Sequence, residues 1–222
     1  MRSPITFKDI KESAEIRTYI KQADASMQAM GFTEHNFAHG TKCAEVAGRL
    51  LKELGYSDHE IDLAMIAGFM HDIGNVINRV DHAQSGAVMA FRLLDKMGMP
   101  PEDIATVVTA IGNHDESTAF PVNAIAAALI IADKTDVRRS RVRNKETIYT
   151  DIHDRVNYAV EKADVCFNKQ DKTVTLVLTI DTHICPVMDY FEIFLERMLL
   201  SRKAAGFLGL EFKLNINGNT LL

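Results

Sequence analysis

Apolar positions recur at helical spacing through the first three quarters of the chain. Cys43, Val46, Ala47, Leu50, Leu51 and Leu54 make one stripe at i, i+3, i+4, i+7 spacing, which predicts an amphipathic helix stopped by Gly55. Ser57 with Glu60 reads as a capping box for the next helix, whose run from Leu63 to Met70 is nearly all apolar. Ala87, Ala90, Phe91, Leu94 and Met97 predict a further helix ending at Gly98. Pro100 and Pro101 then open a helix through Ile104, Val107, Val108 and Ile111, because proline is tolerated where backbone donors are free in any case. Pro121 is expected to open another. That helix runs from Ala124 to Ala132 without a polar residue, so it should be buried on all sides.

The last quarter changes character. Lys172 to Thr182 alternates β-branched and polar residues as a strand does, a helix is expected from about Pro186 to Ala205, and Glu211 to Asn217 reads as a second strand. The expected fold is mainly α: a helical bundle with a small C-terminal β element, a strand-helix-strand extension over about 172–217. The whole of 1–222 is read as one domain.

Composition narrows the class. With 222 residues, 47% of them hydrophobic and 25% charged, the chain can bury a sizeable core. No run approaches the roughly 20 apolar residues of a membrane span, and the opening MRSPITFKDIKESAEIRTYI lacks the apolar centre of a signal peptide. A cytoplasmic location is the default expectation. Cys43, Cys166 and Cys185 are widely spaced and odd in number, which suits reduced thiols better than disulfides. The net charge of −5 argues against a general nucleic-acid surface. Basic charge nevertheless gathers at Lys134, Arg138, Arg139, Arg141, Arg143 and Lys145, where it could steer a small phosphorylated ligand; a solvated helix face accounts for it equally well.

The chemistry shows where apolar runs end in residues foreign to a core. AGFM leads to His71-Asp72, TAIGN to His114-Asp115, and ALIIA to Asp133. A carboxylate emerging from a buried run loses hydration, at a cost of several kcal/mol unless a cation or a set of donors replaces the water. Asp133 is also placed near a helix C-terminus, where the macrodipole disfavours negative charge. A metal ion is the economical answer. Imidazole plus carboxylate suits a divalent transition ion such as Fe, Mn, Zn, Co or Ni.

This order of residues resembles the HD-domain metal-dependent phosphohydrolases, whose pattern is a His, an adjacent His-Asp pair and a distant Asp. Here these are His39 in NFAHGTKCAEVA, His71-Asp72 in FMHDIGN and Asp133 in LIIADKTD. Many members add two histidines for a second metal, and His82 in VDHAQSGAV and His114 in IGNHDE match those places. The resemblance spans about residues 35–140. It implies one metal held by His39, His71, Asp72 and Asp133, with Asp72 bridging to a second held also by His82 and His114. His59, His183 and the pair His153-Asp154 are read as surface features. His35, four residues before His39, is read either as an extra ligand or as a cap or surface residue.

The resemblance implies hydrolysis of a phosphoester, from a nucleotide or another small phosphorylated metabolite. Asp72, Asn75 and Lys134 are the catalytic candidates, and Arg79, Lys134, Arg138 and Arg139 the substrate-binding ones. Position 75 is Lys in the cyclic-dinucleotide and inositol-cleaving branches and Glu in some nucleotidases; Asn75 can orient a group but cannot act as a general acid near neutral pH. A proton would then come from Asp81, Lys134, Asp115 or solvent. The loop DESTAFPVN after His114 lacks the Gly-Tyr-Pro signature of the cyclic-di-GMP branch. Two other classes stay open: a di-iron oxygenase with the same ligands, and a metal-containing regulatory module without turnover. Expected partners are a small phosphorylated substrate and, at most, a second copy of the chain.

Overall fold

The computed structural model describes residues 5–221, and its contacts divide the chain into two compact units that meet in sequence at Asp133 and Lys134. Among the described residues there are nine α-helices and one four-stranded sheet, a mainly α architecture. No helix among them is long and apolar enough to cross a membrane.

The first unit holds α1 (Phe7–Glu12), α2 (Ala14–Ala29), α3 (Phe37–Leu54), α4 (Asp58–Met70), α5 (His82–Met97), α6 (Pro101–Gly112) and all but the last residue of α7 (Ala124–Lys134). The expected stops and starts hold: Gly55 and Gly98 end α3 and α5 at φ of 84° and 86°, values that glycine adopts without strain. Ser57 and Glu60 form a reciprocal capping box on α4. The opening of α7 differs from expectation. It begins at Ala124, because the Asn123 side chain accepts the Ala126 N–H at 2.7 Å and serves as the cap that Pro121 cannot provide. Ile125 to Ala132 is buried, as an all-apolar helix requires.

Two close backbone approaches pull the helices of this unit together. Gly40 on α3 and Gly68 on α4 face each other's helices: a Cβ at Gly68 would lie 2.7 Å from the Ala44 nitrogen, and one at Gly40 would lie 2.9 Å from the Phe69 carbonyl oxygen. The second approach joins the short 3₁₀ turn Ile73–Val76 to α5. A Cβ at Gly74 would come within 2.0 Å of the His82 carbonyl oxygen and 2.5 Å of the Gly86 nitrogen. The first contact sets α3 beside the end of α4, and the second sets the start of α5 beside the residues that follow α4.

The second unit carries 3₁₀ turns at Arg139–Arg141 and Lys145–Tyr149, then α8 (Ile152–Ala159), β1 (Val160–Asn168), β2 (Thr173–Ile180), α9 (Val187–Phe207), β3 (Glu211–Ile216) and β4 (Asn219–Thr220). The strands lie in the order β1-β2-β3-β4, with β2 and β3 parallel and the outer pairs antiparallel. A parallel pair needs a crossover, and α9 supplies it. The expected strand-helix-strand is therefore present, and β1 and β4 extend it. The polar run Glu161 to Asp164 in β1 shows little alternation, which hides that strand from its sequence.

Since Gly74 has no room for a methyl group, Gly74→Ala is expected to destabilise the protein by about 1–3 kcal/mol through overpacking. Gly206→Ala, where nothing lies within 4 Å of the added atom on the exposed side of α9, should instead stabilise it by about 0.5–1 kcal/mol. Denaturant midpoints of the two variants check both signs.

Candidate metal centre

Helix ends deliver the ligands. His71 follows the last residue of α4 and its Nδ1 donates to the Gly68 carbonyl at 2.8 Å; His114 follows α6 and its Nδ1 donates to the Ile111 carbonyl at 2.6 Å. His82 opens α5 and its Nδ1 donates to the Arg79 carbonyl at 3.0 Å. In all three the partner lies three residues back. The Gly68 and Ile111 carbonyls stand at helix C-ends, where intrahelical donors run out, and the Arg79 carbonyl lies in the segment before α5; all three contacts place the ring proton on Nδ1. In the neutral ring each Nε2 is then a lone pair aimed inward, the tautomer that a metal requires.

Those lone pairs converge. His39 Nε2 lies 3.2 Å from His71 Nε2, and His82 Nε2 lies 3.2 Å from His114 Nε2. The Asp72 carboxylate stands between the two pairs. Its Oδ2 is 3.6 Å from His39 Nε2 and 3.4 Å from His71 Nε2, while its Oδ1 is 3.5 Å from His82 Nε2 and 4.0 Å from His114 Nε2. Asp133 Oδ1 completes the inner group at 3.3 Å from His39 and 3.7 Å from His71. All four histidines are at most 2% exposed. Facing lone pairs beside the Asp133 and half-buried Asp72 carboxylates repel unless a proton or cation sits among them; donor atoms of His39, Cys43, His71 and Asp133 lie within 4.8 Å of one another and could hold an ion, as could those of His71, Asp72 and His114. His82 and His114 form an outer group that faces Oδ1 of the same Asp72.

The six residues singled out as ligands from the sequence are thus brought together. Two neighbours were not foreseen as members. Cys43, one helical turn beyond His39, places its Sγ 3.7 Å from His39 Nδ1, a proximity that the i, i+4 spacing could have signalled. Asp115, considered only as a proton source, points Oδ1 to within 3.9 Å of His82 Nε2. His35 is not the cap of α3, since Asn36 is; its ring packs edge-on against His39 and lines the same small cleft as His71 and Asp72. Asn75 is buried and acts on Asp72, donating through Nδ2 to its backbone carbonyl at 3.0 Å and to Oδ1 at 2.9 Å. Arg79 reaches the outer group, its Nη1 3.1 Å from His82 Nε2. Asp81 is exposed at the start of α5 with φ of 56°.

The remaining candidates lie in the second unit. Lys134 is buried at the end of α7, directly after Asp133 in the chain. Arg138 donates to Asp136 Oδ1 at 2.9 Å and to Ser140 Oγ at 2.7 Å. Arg139 donates to the Tyr158 carbonyl at 2.6 Å and stacks over the Tyr158 ring. The pair His153-Asp154 is only half a surface feature. His153 is exposed, but Asp154 is buried: its carboxylate accepts from Thr147 Oγ1, and its backbone N–H donates to Asp151 Oδ1 at 3.2 Å at the α8 cap. His59 and His183 are exposed as expected.

Electrostatics show the demand for a cation. Burial disfavours the His71 imidazolium, yet the Asp72 and Asp133 carboxylates override it and push its pKa up to about 10. Burial works against the Asp72 carboxylate too, but the surrounding imidazoles, His71 foremost, hold it well below the usual carboxylate range. In the metal-free protein, His71 therefore contributes stability that is complete below its ordinary 6.5 and is lost as pH rises through about 10. A metal needs the neutral ring, so its affinity should increase with pH over the same window. Calorimetric titration near pH 7 in buffers of different ionisation enthalpy is expected to show release of about one proton per inner ion. Metal uptake without proton release, or unaffected by pH between 6.5 and 9, would contradict this account of His71.

Comparison with known proteins agrees with this geometry. An uncharacterized protein of Methanocaldococcus jannaschii is 21% identical over an alignment that covers 72% of this chain and 70% of the relative. The HD domain family model matches residues 36–159, a span that holds His39, the His71-Asp72 pair, His82, His114 and Asp133. With more than half its length matched and its histidines and aspartates gathered at one buried point, the chain belongs to the HD domain family.

Proposed function

We propose that the protein is a metal-dependent phosphohydrolase acting on a nucleotide or another small phosphorylated metabolite. The observation that carries this reading is the Asp72 carboxylate, whose two oxygens face two different histidine pairs. His39, His71, Asp72 and Asp133 would hold the first divalent transition ion, and His82 and His114 with Asp72 the second. Such ions lower the pKa of a coordinated water and offset charge on phosphoryl oxygens.

The chain's own residues have separate tasks on this reading. Asn75 positions the shared carboxylate through one hydrogen bond donated to Asp72 Oδ1, and holds the Asp72 backbone through another to its carbonyl. It holds no proton to give. Asp115, whose carboxylate reaches the outer histidine pair, is the candidate to protonate a leaving oxygen. Lys134, Arg138 and Arg139 are proposed to offset substrate charge. Arg138 and Arg139 are already engaged with Asp136 and Tyr158, so they would act as a held basic surface and not as mobile clamps. The reading takes the chain as one HD domain with its metal-binding core within about 35–140.

Asp72→Asn removes the shared charge at nearly constant shape, so metal content and hydrolysis should fall together. Asn75→Ala should retain the metal and lower kcat. Replacing Arg138 and Arg139 by Ala should chiefly raise KM. The measurement is metal analysis of protein purified without added metal, followed by an anaerobic phosphoester screen and steady-state kinetics on the variants. Phosphate release without oxygen supports the hydrolase; turnover that requires iron and consumes oxygen would replace it with an oxygenase. Full metal content and full activity in Asp72→Asn would refute the site assignment.

A further inference from the structure

We infer that Arg79 is a built-in cation for the outer half of the centre: its guanidinium holds the place of a second metal ion, which binds only by displacing it. The inference rests on the metal-centre reading and deepens it. Arg79 Nη1 lies 3.1 Å from His82 Nε2, 3.5 Å from Asn75 Oδ1 and 4.0 Å from Asp72 Oδ1, and Nη2 lies 3.9 Å from Asp115 Oδ1. Two of these, His82 Nε2 and Asp72 Oδ1, are atoms that would hold an outer ion, together with His114 Nε2, which is 3.2 Å from His82 Nε2.

The competition follows from valence. His82 Nδ1 donates to the carbonyl of Arg79, so Nε2 has a single in-plane lone pair. That pair can accept the Arg79 N–H or bind a metal, but not both. Residue 79 thus grips His82 at both ring nitrogens, fixing its tautomer with the carbonyl and occupying its lone pair with the guanidinium. A guanidinium stays charged at every relevant pH, so protonation cannot release the site. Charge lends the same support. Asp72 Oδ1 and the two inward lone pairs make the outer group electron-rich, and Arg79 supplies one positive charge where an ion would supply two.

The arm is free to leave. Its side chain is 28% exposed and passes by the Phe32 ring, with the guanidinium carbon 6.0 Å from the ring centre. Displacement therefore requires rotation of one long side chain and no movement of a helix. The consequence is two unequal sites within one cluster: a strong inner one and an outer one whose affinity is reduced by its internal competitor.

The test is calorimetric titration of metal-free protein with Mn(II), with bound manganese counted by electron paramagnetic resonance, for wild type, Arg79→Ala, Arg79→Gln and Arg79→Lys. Wild type should bind one ion tightly and a second more weakly. Arg79→Ala and Arg79→Gln should tighten the second by about tenfold or more, the equivalent of one charge-assisted hydrogen bond lost by the competitor, and leave the first within about threefold. Arg79→Lys, which keeps the charge, should keep the second ion weak. Adding His82→Ala to Arg79→Ala should abolish the gain, which locates it. Two equally tight ions in wild type, or an unchanged or weakened second ion in both Arg79→Ala and Arg79→Gln with the first intact, would overturn the role of Arg79 alone. No bound manganese in any variant would overturn the metal-centre reading as well.

Discussion

Two carboxylates and four inward imidazole lone pairs share a space from which water is almost wholly removed, and this arrangement cannot be neutral in energy without a positive charge at its centre. The elevated His71 and the depressed Asp72 are two descriptions of that one demand. Around it a few close backbone contacts position the helices that carry these side chains. Gly40 against α4 and Gly68 against α3 place His39 over the end of α4, where His71 and Asp72 emerge. Gly74 against the first turn of α5 brings His82 to the other face of the same aspartate. Backbone carbonyls contribute again, because those of Gly68 and Ile111 at helix C-ends and that of Arg79 just before α5 orient three of the four rings.

This explains why so much of the site was legible. Polar residues that interrupt long apolar runs carry a strong physical signal, since burial there needs compensation, and His71, Asp72, His114 and Asp133 all stand at such interruptions. Helix limits were readable where a local device sets them, as at Gly55, Gly98 and the Ser57-Glu60 box. The start of α7 was misjudged because two devices competed, and the side-chain acceptor of Asn123 won over the backbone restriction of Pro121. Asp154 shows the opposite failure. Nothing in the octapeptide IHDRVNYA reveals that Thr147, from the preceding turn, will cover its one carboxylate.

What stayed hidden is contact made from outside regular helix, where i, i+3 and i, i+4 spacing predicts no shared face. The reach of Arg79 back to Asn75 and forward to His82 depends on the tight path from the 3₁₀ turn into α5, including Asp81 at φ of 56°. An αL residue without a glycine costs about 1–2 kcal/mol, which is tolerable where the surrounding contacts determine it. The arginines after Asp133 carry a parallel lesson. As letters they form a basic run, but in the structure Arg138 is bound to Asp136 and Ser140, and Arg139 to Tyr158. Charge density in a sequence is not the same as charge available to a ligand.

Asn75 and Arg79 make most sense as a pair. Asn75 presents two donors to Asp72 and its Oδ1 toward the Arg79 guanidinium, so it links the shared carboxylate to the neighbouring cation without adding charge of its own. A lysine at position 75 would place an ammonium against Asp72 Oδ1, beside a guanidinium already 4.0 Å away. Two cations so close would repel each other and any incoming ion, because like charges a few ångströms apart in a partly buried site interact more strongly than in water. A glutamate there would pair with Arg79 and draw it from His82. The neutral amide is the choice that lets a single arginine stand over the outer histidines. The identity of residue 75 and the placement of residue 79 are therefore one constraint, set by how much positive charge the outer half of the cluster can hold.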